Sequence, residues 1–384
     1  PAESWVTDVV DRWVAREPES WVAATARGYH FKSLAWASRG RGFIDQTTEE
    51  GRRGMYEAVR VGVGELERAL VLEPSAVAPH PMILDMAMMV APRSVRTAVY
   101  ERAAAAHPLS FQVHVKHMHD LTPKWGGSYE AMERFAASLA PAVPHNPELG
   151  VLAAYPVRER AEAAWRRKDR AEALRLYDRA FETGTRASWL LAAARLAYGL
   201  DRHERMLAYL DLHEERWGTS PDQLYWKTRA YFHLDRVEEA LRSAERGIAL
   251  DPGDPRAYRQ YAWALTRLER WPEAASAYEQ ALQFDPGNRW LLQQLAWITG
   301  VELDRLDEAK ALYRAALAEH PDDPELVYGL GDLLADTGDP GAEAYLRRYL
   351  GMIDGDTDEE RRRIEWIERY LQGGPSLPAD HRDS

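Results

Sequence analysis

The 384-residue chain contains no cysteine. Disulfide bonds, thiolate metal ligands and cysteine nucleophiles are therefore excluded. The chain also lacks an apolar run of about 18 residues, the minimum for a membrane-spanning helix, so no transmembrane segment is expected. Because cysteine usage is the usual indicator of redox compartment, its absence leaves a cytoplasmic location as the default expectation.

Basic residues are fewer than acidic ones. Lysine and arginine together number 49, against 61 aspartates and glutamates, which gives a formal net charge of −12. Nucleic acids and acidic membrane surfaces require a basic footprint, so neither is expected as a partner. Apolar residues are plentiful, at 46% of the chain with 14 tryptophans, and they can supply a large folded core.

Sequence motifs of common enzymes are missing as well. The chain has no G-x-S-x-G elbow, no H-E-x-x-H pair and no phosphate-binding G-x-x-x-x-G-K-[ST] loop. We therefore expect no cofactor and favour a non-enzymatic function. The cluster of His114, His117, His119 and Asp120 has partial metal-ligand spacing, but no motif supplies a further ligand from a second element. Packing roles are predicted for these side chains, and no metal site.

The C-terminal half contains a spaced set of residues that recurs. Each copy has spacings of 4, 3 and 5 residues, and successive copies lie 34 or 35 residues apart. The three copies are Ala240, Ala244, Gly247, Pro252; Ala274, Tyr278, Ala281, Pro286; and Ala309, Tyr313, Ala316, Pro321. A fixed period of this length predicts stacked pairs of helices, because one pair alone cannot bury its apolar face.

This pattern resembles the tetratricopeptide repeat, a helix–turn–helix unit. The match is clear over 221–323 and weaker over 154–220, and from 324 to 356 only the first helix of the pair matches. The predicted fold is all-α: a right-handed α-solenoid of such repeats behind an irregular helical N-terminal domain. The predicted boundaries are an irregular domain at 1–150, a repeat array at 151–356, a capping helix at 357–372 and a disordered tail at 373–384.

In the repeats that this sequence resembles, ligands lie along the concave surface lined by the first helix of each pair. The resemblance implies a groove at nine positions: Tyr225, Arg229, Arg256, Arg259, Trp263, Arg267, Trp290, Gln293 and Trp297. Arginine pairs with carboxylates and stacks on aromatic rings, so an acidic or aromatic-rich peptide is the expected partner. The alternative is that the tryptophans pack between repeats and the arginines pair with nearby acidic residues.

Three separated motifs mark the N-terminal third. They are Trp13-x-x-Arg16-x-Pro18-x-Ser20, Ala35-Trp36-x-x-Arg39-Gly40, and Leu121-x-Pro123-Lys124-Trp125 with a following glycine. Together they resemble a family of uncharacterised bacterial proteins with an N-terminal helical domain of unknown function. The resemblance implies a shared site, without a known activity, at Trp36, Arg39, Gly40, Trp125, Gly126 and Gly127. Lys124 would help the glycine loop to hold an anion, unless this is an ordinary loop with Ser128 as the helix N-cap.

The leading hypothesis for function is a non-enzymatic scaffold that binds a protein or peptide in the groove of the repeats. The alternative is an enzyme or small-molecule-binding protein with its site near Trp36, Arg39 and Trp125–Gly127. That alternative predicts a pocket where the motif with Trp36 and Arg39 meets the motif with Trp125. A third possibility is a homo-oligomer with tryptophan-rich surfaces as self-interfaces.

Overall fold

The structure, a computed structural model, describes residues 4–40 and 46–373. All regular elements within these two ranges are helical, and neither range contains a strand, so the predicted all-α fold is confirmed. None of the helices described is long and apolar enough to cross a membrane. The chain divides into two compact units, residues 1–189 and residues 190–384. The boundary predicted near residue 150 stays a prediction.

In the first unit, the described residues form nine α-helices before the unit boundary, which falls inside a tenth. They are α1 (Ser4–Arg16), α2 (Trp21–Arg39), α3 (Glu49–Leu72), α4 (Pro79–Val90), α5 (Arg93–Ala106), α6 (Phe111–Asp120), α7 (Tyr129–Ser138), α8 (Tyr155–Arg166), α9 (Arg170–Thr183) and α10 (Ala187–Tyr198). Short 3₁₀ segments lie at Pro123–Trp125, Ala140–Ala142 and Pro147–Ala154.

The core of the first unit is built on the long pair α2 and α3. Gly28 allows their close approach, because a Cβ atom there would lie 2.5 Å from Cγ of Leu66. Leu66, Met55 and Met86 are fully buried around this contact. Ser20 caps the start of α2 by accepting a hydrogen bond from the backbone N–H of Ala23, so a local side chain determines where this helix begins.

The second unit continues as helix hairpins and ends with a single helix. Its elements are α11 (His203–Trp217), α12 (Pro221–His233), α13 (Val237–Leu250), α14 (Pro255–Arg267), α15 (Trp271–Phe284), α16 (Arg289–Trp297), α17 (Leu306–Glu319), α18 (Pro324–Asp336), α19 (Ala342–Leu350) and α20 (Asp358–Leu371). The tail predicted for 373–384 lies, apart from Gly373, outside the described residues.

The hairpin turns at Asp235 and Glu269 use the same backbone conformation. One residue adopts a left-handed conformation, with φ of 56° at Asp235 and 55° at Glu269. The next residue then donates its backbone N–H to a carbonyl five positions earlier, at 2.9 Å from Arg236 to Tyr231 and at 3.0 Å from Arg270 to Leu265. This is the hydrogen bond of a Schellman motif, which ends the first helix and starts the second.

The hairpin of α16 and α17 contains one extra residue. Here the equivalent backbone hydrogen bond, from Arg305 to Thr299 at 2.8 Å, spans six positions instead of five. A π-helical turn at Ile298–Glu302 accommodates the insertion. A π-turn is the usual result of a single inserted helix residue. It explains why one interval of the sequence repeat is 35 residues long instead of 34.

Helix α20 closes the core at the end of the second unit. Trp366 and Ile367 are buried against Leu330, Leu334 and Tyr349. The helix begins with a capping box, in which the Thr357 hydroxyl accepts the Glu360 N–H at 3.1 Å and the Glu360 carboxylate accepts the Thr357 N–H at 3.0 Å. These contacts fix the start of α20 and pack its apolar face against α18 and α19.

Candidate functional site

A cavity of about 830 Å³ lies in the second unit, among α14, α16, α18, α20 and the π-helical turn. Aromatic side chains from four of these elements line it, namely Trp263, Trp297, Tyr328 and Trp366. Gly300 and Val301 of the π-helical turn also face it. The inserted residue thus changes the wall of the cavity as well as the length of the repeat.

The floor of the cavity is the buried ring of Tyr313 on α17. It lies directly against the backbone of α18, since a Cβ atom on Gly329 would be only 2.7 Å from Cε1 of Tyr313. Burial raises the pKa of Tyr313, and the nearby carboxylate of Asp332 adds to the rise. The phenol is therefore neutral at ordinary pH and keeps its proton for hydrogen bonding.

Arg363 forms the charged part of the wall, and its charge is already matched. Its guanidinium lies 4.3 Å from the centroid of the Tyr328 ring. It donates to both carboxylate oxygens of Glu325, at 2.9 and 3.0 Å, to the Tyr349 hydroxyl at 3.2 Å, and to Glu359. Burial disfavours the charged form, but these hydrogen bonds outweigh it and raise the pKa of Arg363.

The lining of the cavity carries more acidic than basic side chains. The carboxylates are Glu325, Asp332, Asp336, Glu359 and Glu365, and the cations are Arg362, Arg363 and Arg369. The indole N–H of Trp366 is buried and has no acceptor among the residues described. A buried donor without an acceptor is unfavourable, so an acceptor on a bound molecule would be stabilising there.

The nine groove residues predicted from the sequence do not all lie at the cavity. Three of them line the cavity: Trp263, Gln293 and Trp297. The other six lie elsewhere. They are Tyr225, Arg229, Arg256, Arg259, Arg267 and Trp290.

Most of these six have contacts within the protein. Arg256 pairs with Asp222 at 3.0 Å and with Asp254 at 2.9 Å. Arg267 pairs with Asp235 at 2.6 Å. The Arg229 guanidinium lies 4.8 Å from the Tyr198 ring centroid and donates to the Tyr225 hydroxyl at 3.1 Å. Trp290 packs between the rings of Trp263 and Tyr278, at 5.9 and 5.7 Å. Local pairing and packing therefore account for these five side chains.

The motif with Trp36 and Arg39 and the motif with Trp125 meet in the first unit. The Arg39 guanidinium carbon lies 5.2 Å from the Trp36 ring centroid and 5.4 Å from that of Trp125. Gly127 is required for this arrangement, because a Cβ atom there would lie 2.0 Å from the Leu121 carbonyl oxygen. The remaining predicted residues of this site surround the contact: Gly40 ends α2, Lys124 lies 5.9 Å from the Trp125 ring centroid, and Gly126 has φ of 82°.

The histidine cluster of α6 has packing roles. His114 hydrogen-bonds the Tyr100 hydroxyl at 3.0 Å and the Pro108 carbonyl at 2.8 Å. His117 stacks on the Tyr100 ring with 3.8 Å between centroids. Burial lowers the pKa of both His117 and His119 to about 4. Within the described part of the chain, no three histidine or acidic side chains are arranged to hold a metal ion.

Sequence reasoning missed the contribution of the C-terminal end to the cavity. Tyr328, Arg363 and Trp366 were not among the predicted groove residues, although they form much of its wall. One signal was available. The 35-residue interval marked the inserted residue that brings Gly300 and Val301 to the cavity.

Comparison with known proteins identifies the helix hairpins. Residues 228–289 and 301–357 match the family described as tetratricopeptide repeat. These two stretches are tetratricopeptide repeats. The cavity lies within the tetratricopeptide region and α20, and such repeats serve in general as protein-interaction scaffolds. No curated protein matches the chain.

Several solved tetratricopeptide structures are similar to part of the chain. TTC0263, a thermophilic protein of Thermus thermophilus, is 23% identical with a TM-score of 0.37, over 47% of this chain and 98% of its own. YrrB, described as having an unusual peptide-binding site, is 19% identical with a TM-score of 0.41, over 50% and 97%. MamA from Desulfovibrio magneticus RS-1 is 16% identical with a TM-score of 0.42, over 44% and 96%.

Proposed function

We propose that the chain is a non-enzymatic scaffold whose second unit binds an extended segment of a partner protein in the cavity. The observation that carries this proposal is the convergence of Trp263, Trp297 and Tyr328, from three successive repeats, on one space of about 830 Å³. Ligand pockets typically measure about 300–1,000 Å³ and are lined by aromatic side chains with a few polar groups. Aromatic side chains that line the cavity from successive hairpins suit the binding of an extended chain.

The lining also suggests the chemistry of the partner. Aromatic or apolar side chains of the partner would pack on Trp297 and Tyr328, and a backbone carbonyl would accept the buried Trp366 N–H. The excess of carboxylates favours a basic side chain beside them. The sequence-based expectation of an acidic partner stays a prediction, because Arg256 and Arg267 are paired within the protein. We propose only the other half of that expectation, a partner segment with aromatic side chains.

A random peptide library displayed on phage tests the proposal. We expect the full chain to select peptides that combine an aromatic with a basic residue. Synthetic copies should bind Trp297→Ala at least about tenfold more weakly by calorimetry, since a central aromatic anchor contributes about 2 kcal/mol or more. Trp217→Ala is the matched control, because Trp217 is a 46% exposed tryptophan of the same unit that does not line the cavity.

The two variants separate the cavity from a general surface effect. Helicity and unfolding midpoints would be recorded for both, so that a folding defect is recognised. Equal affinity of the selected peptides for wild type and Trp297→Ala would contradict the proposal. So would the same loss of affinity in Trp217→Ala.

A further inference from the structure

We propose that the first unit holds a separate binding site for a small oxyanion, a carboxylate or a phosphate group, at Arg39 between Trp36 and Trp125. This inference is independent of the cavity in the second unit. It rests on a buried charge that has no partner among the residues that the structure describes.

Arg39 differs from the other buried cations. Three cationic residues are buried in the part of the chain that the structure describes: Arg39, Arg96 and Lys227. Arg96 pairs with Asp120 at 2.9 Å, and Lys227 pairs with Asp211 at 2.6 Å. The Arg39 guanidinium, in a residue only 9% exposed, has neither an ion pair nor a hydrogen bond to any described residue, and its Nε is fully buried. Burying an unpaired charge is strongly unfavourable, so a counter-ion is expected.

The two tryptophans orient Arg39 without satisfying it. Indole rings attract a guanidinium through cation–π contacts, here with centroid distances of 5.2 and 5.4 Å. The rings accept no conventional hydrogen bond, so they do not supply an acceptor for the N–H donors of the guanidinium, and the buried Nε has none among the described residues. Their fork matches the two oxygens of a carboxylate or phosphate. The rings would pack against the apolar or aromatic body of the same ligand.

The surroundings of Trp125 are positive, although the protein as a whole is acidic. Arg93 donates to the Gly126 carbonyl at 2.9 Å, and Arg96 donates to the Trp125 carbonyl at 3.3 Å. Lys124 lies 5.9 Å from the Trp125 ring centroid. The carboxylate that faces this group from α6 is Asp120, which is paired with Arg96. The described side chains named here thus comprise more cations than carboxylates, and such a cluster attracts small anions.

The loop itself is not the anion site that the glycines suggested. Ser128 caps α7 by accepting the backbone N–H of Ala131, so the start of that helix already has an acceptor. The Gly126 carbonyl faces Arg93 and carries partial negative charge. The guanidinium of Arg39 is therefore the group that would bind the oxyanion, and the glycine loop holds Trp125 against it.

The test measures ligand binding and stability in the full chain. The probes are inorganic phosphate, phenyl phosphate and benzoate, each added during thermal unfolding and in calorimetry. We expect wild type to be stabilised by at least one probe, because a ligand that binds only the folded state raises the unfolding midpoint. Arg39→Met should weaken that binding by about tenfold to a hundredfold, the value of a charge-assisted hydrogen-bond pair. Preference for phenyl phosphate or for benzoate identifies the oxyanion.

A matched control distinguishes a binding arginine from a structural one. Arg27 also makes a cation–π contact, at 5.2 Å from Phe31, but it pairs with Asp11 at 2.7 Å and with Glu65 at 2.6 Å. Arg27→Met should lower the midpoint of the ligand-free protein and leave anion binding unchanged. Arg39→Met should leave that midpoint equal or higher. The proposal is overturned if wild type responds to none of the probes, or if Arg39→Met binds them as tightly as wild type.

Discussion

The two units differ in how completely they pair their cationic side chains. In the second unit, Lys227 has Asp211 and Glu214 as partners, and Arg363 has Glu325 and Glu359. In the first unit, Arg96 is paired with Asp120, but Arg39 has no counter-charge among the residues described. The first unit also contains His117 and His119, whose pKa is lowered to about 4, mainly by desolvation. Charge is thus compensated within the second unit and only partly within the first.

This difference has a functional consequence. A cation that its own protein already pairs contributes to the shape of a site but has little capacity to bind an external anion. An unpaired buried cation attracts such an anion. The second unit should therefore recognise a partner mainly through its aromatic walls, and the first unit through charge. Stability measurements can examine both halves of this comparison without knowledge of any ligand.

The largest effect is expected where a paired charge of the first unit loses its partner. Arg96→Met leaves the Asp120 carboxylate buried and alone; burial already raises the pKa of Asp120, and Arg96 opposes that rise. Removing one member of a buried pair destabilises a protein by about 3–5 kcal/mol. Urea unfolding would measure the loss. The double variant Arg96→Met, Asp120→Leu should recover most of it, and a double variant as unstable as the single one would contradict this account.

Acid should weaken the first unit before the second. His117 and His119 titrate near pH 4 when folded, against about 6.5 when unfolded, so the unfolded chain binds more protons between these values. Stability therefore falls as the pH drops from 6.5 to 4, by about 2–3 kcal/mol for each histidine. Glu214 behaves differently: burial opposes its ionisation, but hydrogen bonds from Lys227, Arg246 and Thr219 lower its pKa to about 2. Its contribution is lost only below about pH 4.5.

Hydrogen exchange at pH 7 and pH 4.5, corrected for intrinsic rates, measures this difference helix by helix. Protection of α6 should fall sharply between the two values, while α14 and α15, which contain no histidine, should keep most of theirs. His119→Gln should reduce the pH dependence of α6, because it removes one of its titrating histidines. Equal losses in α6 and α15 would contradict the assignment to the histidines.

The sequence predicted the parts of this comparison that repeat. The period of 34 or 35 residues predicted the hairpins, and Trp263 and Trp297 followed from their position in the repeat. The arginine partners were not predictable in detail. Arg256 and Arg267 have flexible side chains that reach acidic residues of the preceding repeat, 34 and 32 positions earlier. The repeat period predicts the position of a residue on its helix, but not which partner a long, flexible side chain reaches.

Structural features that occur only once were still harder to predict from the sequence. The π-helical turn depends on one inserted residue, and the packing of Trp366 depends on how α20 folds back onto α18. The 35-residue interval shows that one residue is inserted, but it does not show the π-helical turn, and the repeat pattern says nothing about Trp366. In the first unit, the motif resemblance named Trp36, Arg39 and Trp125, and the structure brings them together. That Arg39 has no counter-charge within 4–40 and 46–373 depends on every element packed around it, which no single motif encodes.

The smallest effects compare a glycine of each unit within a helix. Gly329→Ala on α18 should destabilise the second unit by about 1–2 kcal/mol, because the added Cβ would lie 2.7 Å from the Tyr313 ring and overpacking outweighs the gain in helix propensity. It should also displace Tyr313 at the floor of the cavity. Urea unfolding, with tyrosine fluorescence or a crystal structure of the variant, would measure both changes.

Gly64 on α3 provides the matched control, because a Cβ atom there would meet no atom within 4 Å. Gly64→Ala should therefore stabilise the first unit by about 0.5–1 kcal/mol, the helix propensity term alone. The sign of the change separates the two sites more reliably than its size. If Gly329→Ala were stabilising too, Tyr313 would be free to move away from α18. The cavity would then have an adjustable floor, and a larger partner side chain than the present walls admit could enter it.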